Sequence, residues 1–280
     1  MIDNMQHNFG GKWTVEKLNI LSSYLSAYLK VLKNQSFKKI YIDAFAGNGK
    51  ITLDGQQEEI EGSVRLALNA EEKFDEYIFI EKRKTFAKEL ESIVEKEFPT
   101  LKNRVKIINA DCNDMLNDLC QNTDWASSRA MLFLDPYATE VKYETLKTIA
   151  ETQAIDVWYL FPFGATQRML PRDGNVYDSW KLKLNSLFGD ENWYDTFYIP
   201  DPQQNFFGDE NMIKNVNTNE LSKYIVRRLQ TIFPAVSPNP RLLWTSKAPL
   251  FLFCFAVANP SDKAIGRALN IANYILDPNN

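Results

Sequence analysis

Between Lys39 and Gly164 short β-rich runs alternate with amphipathic stretches, and that alternation constrains the fold more than any other feature of the chain. The runs are Lys39 to Phe45, Glu76 to Glu81, Arg104 to Asp111, Arg129 to Pro136 and Ala154 to Gly164. Between them, Ser63 to Ala70, Lys82 to Glu97, Asn113 to Gln121 and Glu140 to Thr152 carry helical spacing. Apolar strands separated by helices predict a parallel sheet with helices on both faces. RLLWTS (Arg241 to Ser246) and PLFLFCFAVA (Pro249 to Ala258) lie only a few residues apart, which predicts an antiparallel pair at a sheet edge.

Helices are also predicted over Thr218 to Phe233 and Ser261 to Leu276. Near the start, Thr14 reads as a helix N-cap, followed by Leu18, Leu21, Leu25, Tyr28 and Leu32 on one face. Pro171 to Val216, rich in Asn, Asp, Gly, Pro and aromatics, breaks the rhythm and reads as an insertion or cap. The expected organisation is an N-terminal helical segment over 1–38, then an α/β domain over 39–280 with an insertion at about 165–217.

Composition narrows the chemistry. A net charge of −4 over 280 residues argues against an unspecific polyanion binder, while leaving room for a local basic groove. Cys112, Cys120 and Cys254 are too few and too scattered for a disulfide framework or a cysteine zinc site, and they fit a reducing cytoplasm. With His7 the single histidine, a Ser-His-Asp triad or a multi-histidine metal site has nothing to draw on. The N-terminus shows no signal-peptide pattern, and the longest apolar run, Ala248 to Ala258, is too short to span a bilayer. The expectation is a soluble, cytoplasmic protein whose chemistry comes from carboxylates, backbone, hydroxyls, aromatics or a cofactor, with no metal required.

In an open α/β sheet, ligands bind beyond the carboxyl ends of the strands. The first strand ends YIDAFAGNGK, Tyr41 to Lys50, where Gly47 and Gly49 allow a tight turn and close backbone approach. Asp43 and Phe45 stand beside that turn, and the carboxylate suits a cationic amino-acid moiety. A dinucleotide fingerprint would need a third glycine and an immediate helix, and both are missing. Glu81 ends the second strand, where an acid can accept from ribose hydroxyls. Asp111 ends the third and can accept from an adenine amine, with Asn113 or Asp114 as the helix cap.

The fourth strand ends LFLDPYA, and Asp135, Pro136 and Tyr137 place a carboxylate, a carbonyl and an aromatic face together. A flipped base could stack on such a ring while its amine donates to those oxygens. After the fifth strand, Phe161, Phe163, Arg168 and Arg172 lie where a substrate wall is expected, and aromatics interleaved with arginines suit bases and phosphates. They suit a protein partner nearly as well. Arg168 and Arg172 would be one turn apart if that stretch is helical. Trp13 and Lys17, also a turn apart, could face the same cleft, the ring over a cofactor and the amine toward a phosphate. The alternative makes Trp13 a hydrophobic staple and Lys17 a solvated charge.

Together YIDAFAGNGK, EGSVRLALN, LFLDPYATEVKYETL, AIDVWYLFPFGATQRML and APLFLFCFAVANPSDKAIGRALNIANYIL resemble the three-Cys-motif partner proteins, from about Trp13 to Leu276. The family is named for a neighbouring protein that carries the three-cysteine motif; the cysteines of this chain are not that motif. The resemblance implies a Rossmann-like class I methyltransferase fold, a mostly parallel seven-stranded sheet with an antiparallel edge pair, S-adenosylmethionine as cofactor, and a three-Cys-motif protein as partner. The fourth-strand motif is more distantly similar to the [Asp/Asn]-Pro-Pro-[Tyr/Phe] signature of methyltransferases that modify nucleic acid amines. Carried over, Asp135 would hold the target amine, Pro136 offer its carbonyl and Tyr137 stack on the base. One proline stands here where that signature has two, so Tyr137 is shifted by one position. A cofactor-binding module without catalysis, and a nuclease-like enzyme with Asp43, Asp111 and Asp135 as Mg²⁺ ligands, are the rival readings.

Overall fold

The computed structural model describes residues 11–52, 59–202 and 211–277, so His7 lies outside the described residues. Helix α1 (Lys12–Leu32) leads into β1 (Lys38–Asp43), and β2 (Lys50–Thr52) pairs antiparallel with β3 (Glu59–Glu61). There follow α2 (Ser63–Asn69), β4 (Glu76–Ile80), α3 (Lys84–Glu97), β5 (Val105–Ile108), α4 (Cys112–Asn122), β6 (Ser128–Leu134), α5 (Tyr143–Glu151) and β7 (Ile155–Phe161). Next come α6 (Phe163–Arg168), α7 (Asp178–Phe188), α8 (Trp193–Phe197), β8 (Tyr198–Pro200) and β9 (Met212–Lys214). The chain closes with α9 (Thr218–Gln230), β10 (Ala235–Val236), β11 (Arg241–Trp244), β12 (Pro249–Val257) and α10 (Asp262–Leu276).

The central sheet has the order β10-β12-β7-β6-β1-β4-β5, and β11 also pairs with β12. The strands from β7 to β5 are mutually parallel, whereas β12 runs antiparallel to β7. This is the expected mixed α/β sheet with its antiparallel edge; the eighth strand arises because β10 and β11 share the outer side of β12. From β1 the chain builds outward through β4 and β5, then returns to β1's other side as β6. That reversal opens a crevice at the carboxyl ends of β1 and β6.

Both sheet faces are covered, so the strands read as nearly continuous apolar runs. Ile40 and Ile42 face a core completed by Leu116, Leu146, Leu184 and Ile225. Tyr41 faces the other core, with Leu21 and Tyr24 of α1, Leu68 of α2, Leu90 of α3 and Ala272 of α10. The segment from α7 to α8 packs through Phe188 and Phe197 on Tyr224 of α9, with Phe188 and Tyr224 edge-to-face at 5.2 Å.

Two caps differ from the sequence reading. The helix α1 starts at Lys12 with Gly11 as its N-cap, and Thr14 N–H already donates to the Gly11 carbonyl. Thr14 is therefore inside the first turn, buried, and its hydroxyl has no partner among the described residues. In α4 the cap is Asp111, whose Oδ1 accepts from Asn113 N–H at 3.0 Å. Asn113 is buried instead, donating to the Glu140 carbonyl and accepting from Lys142 N–H and the Thr145 hydroxyl, each at 2.9 Å. No helix among the described residues is long and apolar enough to cross a membrane.

Candidate active site

Four acids stand at or just past the carboxyl ends of adjacent strands: Asp111 after β5, Glu81 after β4, Asp43 on β1 and Asp135 after β6. Asp43 is fully buried. Its Oδ1 accepts from Phe45 N–H at 3.1 Å and its Oδ2 from the Ser63 hydroxyl at 2.6 Å. Burial pushes the Asp43 carboxyl up to about 7 against the pull of those two hydrogen bonds; nearby Asp135 adds to the rise and Lys17 opposes it. Ser63 was not among the candidates from sequence, although its place behind Gly62 at a helix start was a usable signal. Phe45 itself is half-buried against the core.

Gly47 and Gly49 both adopt left-handed backbone, φ +61° and +76°. A Cβ on Gly49 would lie 3.3 Å from Leu90 Cδ1 of α3, whereas one on Gly47 would meet nothing within 4 Å. The turn is thus closed on its α3 side and open at Gly47. Gly47 N–H donates to Glu81 Oε2 at 2.9 Å, and Arg83 N–H to Glu81 Oε1 at 2.6 Å. These contacts fasten the glycine turn to the end of the second strand. A carboxylate has about four acceptor positions, so Glu81 retains capacity for two further donors.

Asp111 caps α4 and pairs with Lys82 Nζ at 3.0 Å. Lys82 is 75% exposed, so this is an exchangeable surface pair. At the fourth strand Pro136 is buried, and Tyr137 is 58% exposed.

Lys17 departs from both of its expected settings. Its side chain is only 5% exposed, and its Nζ lies 2.5 Å from Asp135 Oδ2. The same ammonium sits 5.4 Å from the centre of the Trp13 ring, which in turn packs on Phe251 at 5.3 Å. Lys17 is neither solvated nor turned outward to a phosphate.

The expected substrate wall divides. Phe161 and Phe163 are buried in the core, with Phe161 stacked on Phe188 at 6.2 Å, rather than standing open as a wall. Phe161 ends β7, which lies between β6 and β12, and Phe163 opens α6, which packs against β12. Arg168 and Arg172 are exposed, but α6 ends at Arg168, so the two do not share a helix. Lys214 of β9 joins them: its N–H donates to the Arg172 carbonyl at 2.9 Å, and its Nζ to the Leu170 carbonyl at 3.3 Å.

Two surface depressions lie elsewhere among the described residues. One, near Trp125, Arg129, Gln153 and Asn259, lies at the opposite end of the strands, and another runs along α1 and α10 past Glu16 and Tyr274. Neither contains a buried carboxylate. Among the described residues no group of three or more metal-ligating side chains converges.

No family model matches the chain, and no curated protein matches it. Among solved structures, a Legionella pneumophila protein of the DUF519 family model is 14% identical, with 96% of this chain and 94% of that one covered and a TM-score of 0.46. Thermotoga maritima spermidine synthase is 11% identical, over 96% of this chain and 63% of that one, at 0.43. A Bacillus cereus O-methyltransferase in complex with SAH is 12% identical, over 84% and 80%, at 0.40. These likenesses reach no further than the course of the backbone.

Proposed function

We propose that this chain binds S-adenosylmethionine at the carboxyl ends of β1 and β4 and methylates nucleic acid, at a base exocyclic amine. The observation that carries the reading is the Gly47–Glu81 hydrogen bond, which fastens an open glycine turn to an acid beside buried Asp43. An amino acid joined to a nucleoside matches that sequence of groups. Asp43 would take the ammonium, Gly47 and Gly49 allow close approach, Phe45 borders the turn, and Glu81 would accept from the ribose. Asp111, on exchanging exposed Lys82, would accept from the adenine amine.

When bound, the cofactor supplies an electrophilic methyl group on a sulfonium. The protein's part is orientation. Asp135 and the Pro136 carbonyl would accept from the target amine, and exposed Tyr137 offers its ring to an unstacked base. Arg168 and Arg172 suit flanking phosphates. The Mg²⁺ alternative is weaker, because Asp135 is paired to a lysine and Asp111 caps a helix.

Incubation of the purified chain with methyl-labelled cofactor and, separately, total RNA, genomic DNA and protein tests the proposal. Label that nuclease digestion releases as a methylated nucleoside supports it. Label in protein alone overturns the substrate assignment, and cofactor binding without label in any of the three favours a cofactor-binding module serving a three-Cys-motif protein. That second reading draws on Val15 and Tyr274, 42% and 68% exposed along one groove.

A further inference from the structure

We infer that Lys17 is the carboxylate-binding residue for the cofactor's amino-acid end, and that its pair with Asp135 is a latch which cofactor binding opens. The inference rests on the S-adenosylmethionine reading above and assigns a residue that reading leaves without a ligand.

The amino-acid end of that cofactor is a zwitterion. Asp43 beside the glycine turn answers its ammonium, but the strand ends otherwise present acids: Glu81, Asp111 and Asp135. A ligand carboxylate placed among them needs a cation. Lys17 is the buried cation there, with its charge acting on both Asp135 and Asp43. Lys82, the partner of Asp111, stands two strands away from Asp135 and is 75% exposed.

A second observation concerns Thr14. It lies one turn before Lys17 on the same face of α1, is 1% exposed, and its hydroxyl has no hydrogen-bond partner among the described residues. Buried polar groups are normally satisfied, so a lone buried hydroxyl beside a buried ammonium marks a place where an acceptor belongs. A carboxylate accepts from both groups at once.

The latch follows from competition. Lys17 holds an Asp135 oxygen that the target amine would need. A cofactor carboxylate that takes Lys17 leaves Asp135 available, so cofactor binding prepares the acceptor site. Such coupling is reciprocal between the two ligands.

Calorimetry with S-adenosylmethionine and with its decarboxylated form, on wild type and Lys17→Met, tests the assignment. The two ligands share sulfonium, ammonium and nucleoside and differ in the carboxylate. Wild type is expected to prefer the carboxylated form by roughly 10–100-fold, as for a charged hydrogen bond. Lys17→Met should erase that preference mainly by weakening S-adenosylmethionine, and Lys17→Arg should keep part of it. If Lys17→Met does not fold, the Lys17→Met/Asp135→Asn pair removes the unmatched charge and serves instead. A preference that survives in the variants, or equal affinities in wild type, overturns the assignment. Wild type binding neither ligand overturns the cofactor reading itself, a distinct result.

Discussion

The Lys17 ammonium and the Asp135 carboxylate meet at 2.5 Å although 118 residues separate them in sequence. That contact ties the first helix to the end of the fourth parallel strand, and it makes the two residues compete with any ligand for each other. Removing one partner leaves the other's charge uncompensated in a largely buried position, which is costlier than losing an exposed pair.

Asp135→Ala is therefore expected to act on three measurements differently. Stability should fall by about 1–3 kcal/mol in denaturant titration, because Lys17 loses its acceptor. Cofactor affinity should hold or rise, because Lys17 becomes free for the ligand. Methyl transfer should be lost, because the target amine has no carboxylate. Lowered cofactor affinity in a folded variant would remove the competition.

Glu81 holds the glycine turn as well as the proposed ribose. Glu81→Gln turns one acceptor oxygen into a donor amide, which cannot satisfy both Gly47 N–H and Arg83 N–H. Cofactor affinity should weaken by about 1–3 kcal/mol, read by calorimetry, with a smaller drop in melting temperature. Unchanged affinity would move the ribose contact elsewhere.

Asp43 makes the proposed cofactor affinity depend on pH. An ammonium ligand binds the ionised carboxylate, and burial has raised that carboxyl to about 7. Affinity should climb as pH rises from about 5 through 7 and level off above it. Protons should be released on binding, visible as a buffer-dependent heat. Ser63→Ala removes a hydrogen bond that holds the carboxyl down, so its curve should shift to higher pH. Asp43→Asn should flatten the curve.

Asp156 gives the matching test of stability. It lies half-buried near the start of β7, accepts from the Tyr24 hydroxyl at 3.0 Å, and burial pushes it up to about 7. A carboxyl raised in the folded state binds its proton more tightly there than in the unfolded chain. Its contribution is complete below the ordinary carboxyl range and is lost as pH rises through about 7. Asp156→Asn, neutral throughout and still able to accept from Tyr24, should stabilise by about 2–4 kcal/mol at pH 8 and by almost nothing at pH 3. Equal effects at the two pH values would contradict the raised carboxyl.

The long apolar strands were legible because burial on both faces imposes apolar runs, and the acids at their ends stand out against those runs. The short strands β8, β9 and β10 were not, because two or three residues carry no period. Phe161 and Phe163 misled for a related reason: aromatics at a strand end look like a wall until the neighbours on both sides are known. Lys17 left a trace in the sequence. It stands four and seven residues before Leu21 and Tyr24, within the apolar stripe of α1, where a solvated lysine does not belong. Its partner could not be read, because nothing local links Lys17 to Asp135.

A cluster of cations after β7 supplies the last prediction. Arg168 closes α6, Arg172 follows it, and Lys214 joins through a backbone hydrogen bond to the Arg172 carbonyl. Burial lowers the Lys214 pKa, and the Arg172 charge lowers it further, so both cations gain from an approaching anion. Among the described residues, none of the three forms an ion pair with a carboxylate. Surface cations left in this state suit phosphates, and α6 follows directly on the carboxyl end of β7, beside the strand that ends in Asp135. Replacing Arg168, Arg172 or Lys214 by Gln should each flatten the slope of log affinity against log salt by about one counterion for a bound oligonucleotide. Cofactor affinity should not move, since none of the three lies at the carboxyl ends of β1 and β4. Three unaltered slopes with the oligonucleotide still bound would remove this surface from the nucleic acid site and leave the arginines to a protein partner.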